Sequence, residues 1–217
     1  MKNIKVLLAD DHKILREGLR HIIEDELEME VVGQATNGRS AVALAAELHP
    51  DLVIMDISMP ELNGIEATRQ ILQQASHVKV IALSMHTNRE FVSKMFGAGA
   101  TAYLLKECAV DELGDAIKCV LANKIYISPD IASVVVEDFL RKSEGKDAVP
   151  PGKLTAKERE VLQLIAEGKS TKEIASIFNT SISTVETHRQ HVMEKLNIYT
   201  VAGLTKYAIR EGLTSLE

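Results

Sequence analysis

Three things are scarce in this 217-residue chain. There are only two cysteines, Cys108 and Cys119, which cannot by themselves build a disulfide framework or a zinc site, so both read as small buried hydrophobes. No apolar run approaches the ~20 residues that a membrane-spanning helix needs. The amino end, MKNIKVLLADDH, has a six-residue apolar stretch before two aspartates, too short for a signal peptide, and the expected compartment is the cytoplasm. Excess positive charge is also missing. A net charge of −6 argues against a protein that coats nucleic acid along its whole length. That average hides an asymmetry, because residues 1–152 carry a net −7 and residues 153–217 a net +1. With 46% hydrophobic and 26% charged residues the chain is that of a soluble globular protein, long enough for two small domains.

The first half alternates strand and helix patterns. Apolar runs at 4–9 (IKVLLA), 52–56 (LVIMD), 78–84 (VKVIALS) and 101–106 (TAYLLK), with a weaker one at 30–35 (EVVGQA), lack polar alternation. Such runs suit strands covered on both faces, as in a parallel sheet. Between them lie apolar stripes at helical spacing: Ile14, Leu15, Leu19, Ile22 and Ile23; Ile65, Thr68, Ile71 and Leu72; Phe91, Val92, Met95 and Phe96; and Leu113, Ala116, Ile117, Val120 and Leu121. The third should stop at the Gly97–Gly99 pair. The expectation is a doubly wound α/β domain on a five-stranded parallel sheet.

Ionisable and hydroxyl residues gather at the carboxyl ends of these strands: Asp10 and Asp11 after the first, Asp56 ending the third, Ser84 the fourth and Lys106 the fifth. In open parallel sheets ligands bind beyond those ends, where the strand order reverses. Three carboxylates brought close together repel unless a cation sits among them, and all-oxygen ligation suits Mg²⁺. Lys106 opposite them would meet a second anion, and a phosphoryl group fits. Asp56 then reads as a nucleophile forming an acyl phosphate, with Lys106 stabilising the transferring oxygens and the Ser84 hydroxyl available to one of them. Taken singly, each residue has an ordinary reading; Asp11, for instance, could simply cap the first helix.

The DDH at 10–12, DISMPELNG at 56–64, Ser84 and the Tyr103–Lys106 run resemble the receiver domain of bacterial two-component response regulators, over residues 4–121. The resemblance implies a flavodoxin-like fold, Asp56 as phosphoacceptor for a sensor histidine kinase, and Asp10, Asp11 and Asp56 as Mg²⁺ ligands. It also implies Lys106 as phosphoryl contact and Ser84 with Tyr103 as a switch pair. Pro60 and Gly64 would shape the loop after Asp56, where Gly64 permits close backbone approach.

Beyond Leu121 the pattern loosens. NKIYISPD (123–130) reads as a turn, 130–142 as a helix bearing Ile131, Val134, Val135 and Phe139, and SEGKDAVPPGK (143–153) as a linker. The expected domains are a receiver at 1–122, a linker at 123–152 and a second domain at 153–217. That domain should be all-α with four helices. Thr155 and Glu158 form a capping box opening the first, and Gly168 ends it. Thr171 caps the second, Ser183 the third and Thr200 the fourth. Two helices joined by the short polar turn NTSIS, the second displaying polar groups, give a helix-turn-helix layout.

The segment from Leu154 to Leu196, continuing to about 212, is similar to the LuxR-type helix-turn-helix of NarL/FixJ response regulators. The third helix should enter the major groove of double-stranded promoter DNA. Glu186, Thr187 and Gln190, with His188 and Arg189 alongside, are candidate base readers. Thr184, Lys195 and Lys172 are candidate phosphate holders. Glu186 stands where many relatives carry lysine, and could read a cytosine or pair with Arg189. A domain of net +1 gains from doubling its phosphate contacts, so a homodimer formed on phosphorylation is expected. Val201, Leu204 and Ala208 on the fourth helix are the candidate dimer surface, although the same stripe could close the domain's own core. The first and fifth receiver helices are an equal candidate.

The leading reading is a phosphorylation-switched transcription factor, with RNA polymerase as a further partner. Two others compete. A Mg²⁺-dependent phosphohydrolase would want a second carboxylate two residues after Asp56, where this chain has Ser58, so only slow self-dephosphorylation is expected and not a multiple-turnover enzyme. A regulator working through protein contact or redox would leave the acidic residues idle.

Overall fold

The computed structural model describes residues 4–85, 87, 89–133, 135–136 and 154–214. Two compact units divide at Lys146/Asp147.

The first unit is built on strands β1 (Lys5–Ala9), β2 (Glu30–Ala35), β3 (Leu52–Asp56), β4 (Lys79–Ser84), β5 (Ala102–Leu105) and β6 (Tyr126–Ile127). All neighbours pair in parallel, in the order β2-β1-β3-β4-β5-β6. The helices are α1 (Lys13–His21), α2 (Gly38–Leu48), α3 (Gly64–Gln74), α4 (Arg89–Gly97) and α5 (Ala109–Leu121). Side chains alternate across a pleated sheet, and the two faces bury separate cores. Leu7, Val53, Met55, Val80, Ala82 and Tyr103 join residues of α2, α3 and α4 on one side. Val6, Leu8, Leu52, Ile54, Ile81 and Leu104 join α1 and α5 on the other. Both faces being covered explains the unbroken apolar runs, and β3 is buried at every residue. As expected, α4 stops at Gly97, with Gly99 at φ +105°. The fold is the flavodoxin-like doubly wound sheet, with one strand more than expected.

That extra strand lies where the sequence reads as a turn. Tyr126 and Ile127 pair with Ala102 and Tyr103, and the Ser128 amide donates to the Tyr103 carbonyl at 3.0 Å. The Ser128 hydroxyl and, at 3.3 Å, the Tyr126 hydroxyl donate to the Glu112 carboxylate on α5. Residues 129–133 and 135–136 are helical, and Ile131 is fully buried in the core that holds Tyr103. The first unit thus runs well past residue 122, because this segment has apolar side chains to bury against the sheet. The rest of the expected helix, with Val134 and Phe139, and the linker at 143–153 lie outside the described residues. Cys108 and Cys119 are both partly exposed, not buried as the sequence suggests.

The second unit is all-α: α6 (Ala156–Ala166), α7 (Thr171–Ile177), α8 (Ile182–Leu196) and α9 (Val201–Arg210). Thr155 and Glu158 form the expected capping box. Two caps differ from expectation. Ser170, not Thr171, caps α7 in a box with Glu173, and Ser181, not Ser183, caps α8 by accepting from the Thr184 amide at 3.1 Å. Each helix begins one or two residues early because the preceding serine supplies an equally good oxygen. Thr200 caps α9 as expected. Leu154, Val161, Leu162, Leu164, Ile165, Ile174, Val185, Val192, Leu204 and Ala208 fill one small core. Among the described residues no helix is long and apolar enough to cross a membrane.

Candidate functional site

The strand order reverses between β1 and β3, so the tips of those strands open the crevice of the first unit. Asp10 follows β1 and Asp56 ends β3, and both are buried. Lys106, directly after β5, places Nζ 2.7 Å from Asp56 Oδ2 and 2.9 Å from Asp10 Oδ2. The Ser58 amide donates to Asp56 Oδ1 at 3.1 Å, and the His12 amide to Asp10 Oδ1 at 2.8 Å. One ligand atom each from Asp10, Asp11, His12 and Asp56 lie within 4.8 Å of one another. Asp11 does not cap α1, whose N-cap residue is His12. Instead Asp11 Oδ1 faces His12 Nδ1 at 2.8 Å. His12, within the DDH motif, lies near both aspartates, a placement that no spacing in the sequence signals.

Backbone geometry holds this arrangement. A Cβ on Gly64 would sit 2.0 Å from the Asp56 carbonyl oxygen, so only glycine lets the loop after the phosphoacceptor candidate close back on β3. Asn63 caps α3 by accepting from the Glu66 amide, which fixes where the loop ends. Arg16, on α1, donates to the Asp10 carbonyl oxygen at 2.7 Å and to Gln34 Oε1 at 2.7 Å, pinning the chain at the first aspartate.

Burial and mutual charge perturb the ionisable groups of the pocket. Burial pushes the Asp56 carboxyl up to about 6; Lys106 pulls it back and Asp10 pushes it further up. Burial alone would lower the Lys106 ammonium, but the Asp56 and Asp10 carboxylates together outweigh it and the net direction is up. Buried oxygens Asp10 Oδ2 and Asp11 Oδ1 face Lys106 Nζ at 2.9 Å and His12 Nδ1 at 2.8 Å without meeting hydrogen-bond alignment. Three carboxylates converging in one pocket make a hard-donor set that a divalent cation fits.

Ser84 ends β4, and its hydroxyl is hydrogen bonded to that of Tyr103 on β5; both residues are buried. Burial pushes the Tyr103 phenol up to about 12, so it stays a neutral donor. Its ring lies 6.5 Å from that of Phe96 on α4, a tilted aromatic pair. The sheet therefore brings Asp10, Asp11, Asp56 and Lys106 together, with Ser84 and Tyr103 joined beside them.

In the second unit α8 presents Thr184, Glu186, Thr187 and Gln190 to solvent, with His188 and Arg189 half-buried. The Thr187 hydroxyl donates to the Ser183 carbonyl at 3.0 Å and Gln190 Nε2 to Glu194 Oε1 at 2.8 Å. One candidate gains a partner and another needs correction. Lys195 is not a free cation: its Nζ donates to both carboxylate oxygens of Glu158, at 2.8 and 2.7 Å. Of the candidate dimer residues, Leu204 and Ala208 are fully buried, because a four-helix unit this small needs them for its own core, and only Val201 stays half exposed.

A flavodoxin-like sheet with this acidic pocket and lysine, followed by a helix-turn-helix unit, defines a receiver joined to a DNA-binding domain. Residues 6–118 match the response regulator receiver domain, and residues 152–208 match the bacterial regulatory proteins of the luxR family. The chain belongs to the NarL/FixJ-type response regulators, which regulate transcription. It is 38% identical over 214 residues to the response regulator UvrY of Escherichia coli K12, covering 99% of this chain and 97% of that one. To the transcriptional regulatory protein LiaR of Bacillus subtilis it is 39% identical over 212 residues, covering 98% and 100%. Among solved structures, RcsB from Salmonella enterica serovar Typhimurium, bound to promoter P1flhDC in the presence of the phosphomimetic BeF3-, aligns at TM-score 0.60 with 27% identity over 98% of this chain and 100% of that one.

Proposed function

We propose that Asp56 accepts a phosphoryl group from a sensor histidine kinase and that this tightens sequence-specific DNA binding by a homodimer. The observation that carries the reading is the placement of Asp56, buried at the switch point, with Lys106 Nζ 2.7 Å away and Asp10 and Asp11 alongside. In the transfer, a carboxylate oxygen of Asp56 forms a bond to phosphorus as the phosphorus–nitrogen bond of the donor phosphohistidine breaks. Lys106, already charged and aimed at that oxygen, meets the negative charge on the transferred group. Asp10, Asp11 and Asp56 would hold Mg²⁺, which when bound neutralises phosphoryl oxygens.

With a phosphoryl oxygen as competing partner, the Ser84 hydroxyl has reason to leave Tyr103. The Tyr103 backbone is bonded to Ser128, at the start of the segment that leads out of the receiver, which supports a route from site to output. Phosphate must favour one of two states of these elements to shift the population. Hydrolysis would return the Asp56 carboxylate and inorganic phosphate slowly, since position 58 is serine and offers no acid or base. Candidate DNA contacts are Thr184, Glu186, Thr187, His188, Arg189 and Gln190, and the half-exposed Val201 is the remaining fourth-helix candidate for the dimer surface. RNA polymerase is the partner that promoter binding would serve, and the cytoplasm is where kinase, promoter and polymerase meet. The promoter-bound RcsB with a phosphomimetic supports the analogy.

Incubation with a small phosphoryl donor and Mg²⁺ tests the proposal. One phosphate per chain is expected on the wild type and none on Asp56→Ala. Equal labelling of both would overturn it.

A further inference from the structure

We propose that Lys195 is a positioning residue: the Glu158–Lys195 ion pair sets the tilt of α8, so an acidic side chain is required for sequence-specific DNA binding. The inference rests on the DNA-binding reading above and adds a role for two residues joined across α6 and α8.

Glu158 lies in the first turn of α6 and is 3% exposed. Its carboxylate takes both bonds from Lys195 and also accepts from the Thr155 amide at 2.7 Å, while the Thr155 hydroxyl accepts from the Glu158 amide at 3.2 Å. One carboxylate therefore ties the entry of α6 to the last turn of α8, 37 residues further on. Within α8 only Val185 and Val192 are buried. Met193 and Leu196 pack partly buried against the same core, and the ion pair adds a polar tie at the last turn of this 15-residue helix. Glu186, Thr187 and Gln190 lie one to three turns amino-terminal to Lys195, so a change of tilt at the pair moves them along the groove. Freeing Lys195 for a phosphate would strand a buried carboxylate without its partner, which is unfavourable.

Simple electrostatics predicts the opposite sign. Removing the Glu158 anion should then strengthen binding to a polyanion, and removing Lys195 should flatten the salt dependence by about one phosphate contact. The experiment uses the full chain and two probes: a duplex enriched by the wild type from a random-sequence pool, and an unselected random duplex. Glu158→Gln keeps an acceptor for the Thr155 amide, and Lys195→Arg keeps the pair. Circular dichroism at the assay temperature checks that helix content is retained.

Glu158→Gln and Lys195→Met are each expected to weaken binding to the enriched duplex about tenfold, with little further loss in the double variant. Neither should change the slope of log affinity against log salt, and Lys195→Arg should restore wild-type binding. Tighter binding by Glu158→Gln, or a slope lowered by about one in Lys195→Met, would overturn the positioning role. A wild type that enriches no sequence would instead overturn the DNA-binding reading itself.

Discussion

The two units treat buried charge in opposite ways. In the receiver, Asp10, Asp56 and Lys106 are buried together at the strand tips and constitute the candidate site itself. In the helical unit the buried charge is Glu158, held by the exposed Lys195, and the candidate readers on α8 are exposed or half-buried. A buried ion pair thus has no single meaning. At a strand switch point, where three carboxylates converge, it points to chemistry; between two helix ends, with one carboxylate engaged at both oxygens, it points to architecture.

The comparison can be broken most directly at Asp56. Asp56→Ala should abolish every phosphate-dependent change in DNA affinity and leave basal binding unchanged, as fluorescence anisotropy would read; altered basal binding would mean that the units do not separate so cleanly. Next is backbone fit. Gly64→Ala forces a Cβ against the Asp56 carbonyl and should cost the receiver about 1–3 kcal/mol or more, while the helical unit's urea transition stays in place.

The pH responses should differ in sign. Asp56 is raised from 3.8 to about 6, so in metal-free buffer the native state holds a proton that the unfolded chain has lost, and stability is lost as pH rises through about 6. Asp56→Asn should remove that loss. At Glu158, burial alone would raise the carboxyl, but the bonds from Lys195 and Thr155 hold it below its ordinary 4.5. Its contribution is therefore present above that value and disappears as pH falls below it, and Glu158→Gln should flatten the acid limb. Thermal unfolding across pH checks both. Ser181→Ala should cost the helical unit about 1 kcal/mol through loss of its cap, seen by calorimetry. Smallest of all, Glu186→Lys should steepen the salt dependence of random-duplex binding by up to about one phosphate contact.

Most of the receiver was legible because its signals are local. Unbroken apolar runs mark doubly covered strands, and charges at their ends mark the crevice, so Asp10, Asp11, Asp56 and Lys106 fell together as expected. β6 was not legible, because two residues carry no periodicity and pairing with Tyr103 is a tertiary fact. The caps of α7 and α8 were misplaced because Ser170–Thr171 and Ser181–Ser183 offer adjacent oxygens of similar capping strength. The ion pair of Lys195 was not legible for a deeper reason: its partner Glu158 lies 37 residues away, and no local pattern joins the two. The α9 stripe showed that Leu204 and Ala208 were apolar together, but not which surface would cover them.

The central proposal is that phosphate at Asp56 changes how the helical unit engages DNA. The most direct measurement is sedimentation and DNA titration of the full chain, with Mg²⁺, before and after stoichiometric phosphorylation. The expected result is a shift from monomer towards dimer with tighter binding to the enriched duplex. Fully phosphorylated protein with unchanged mass and unchanged affinity would contradict it.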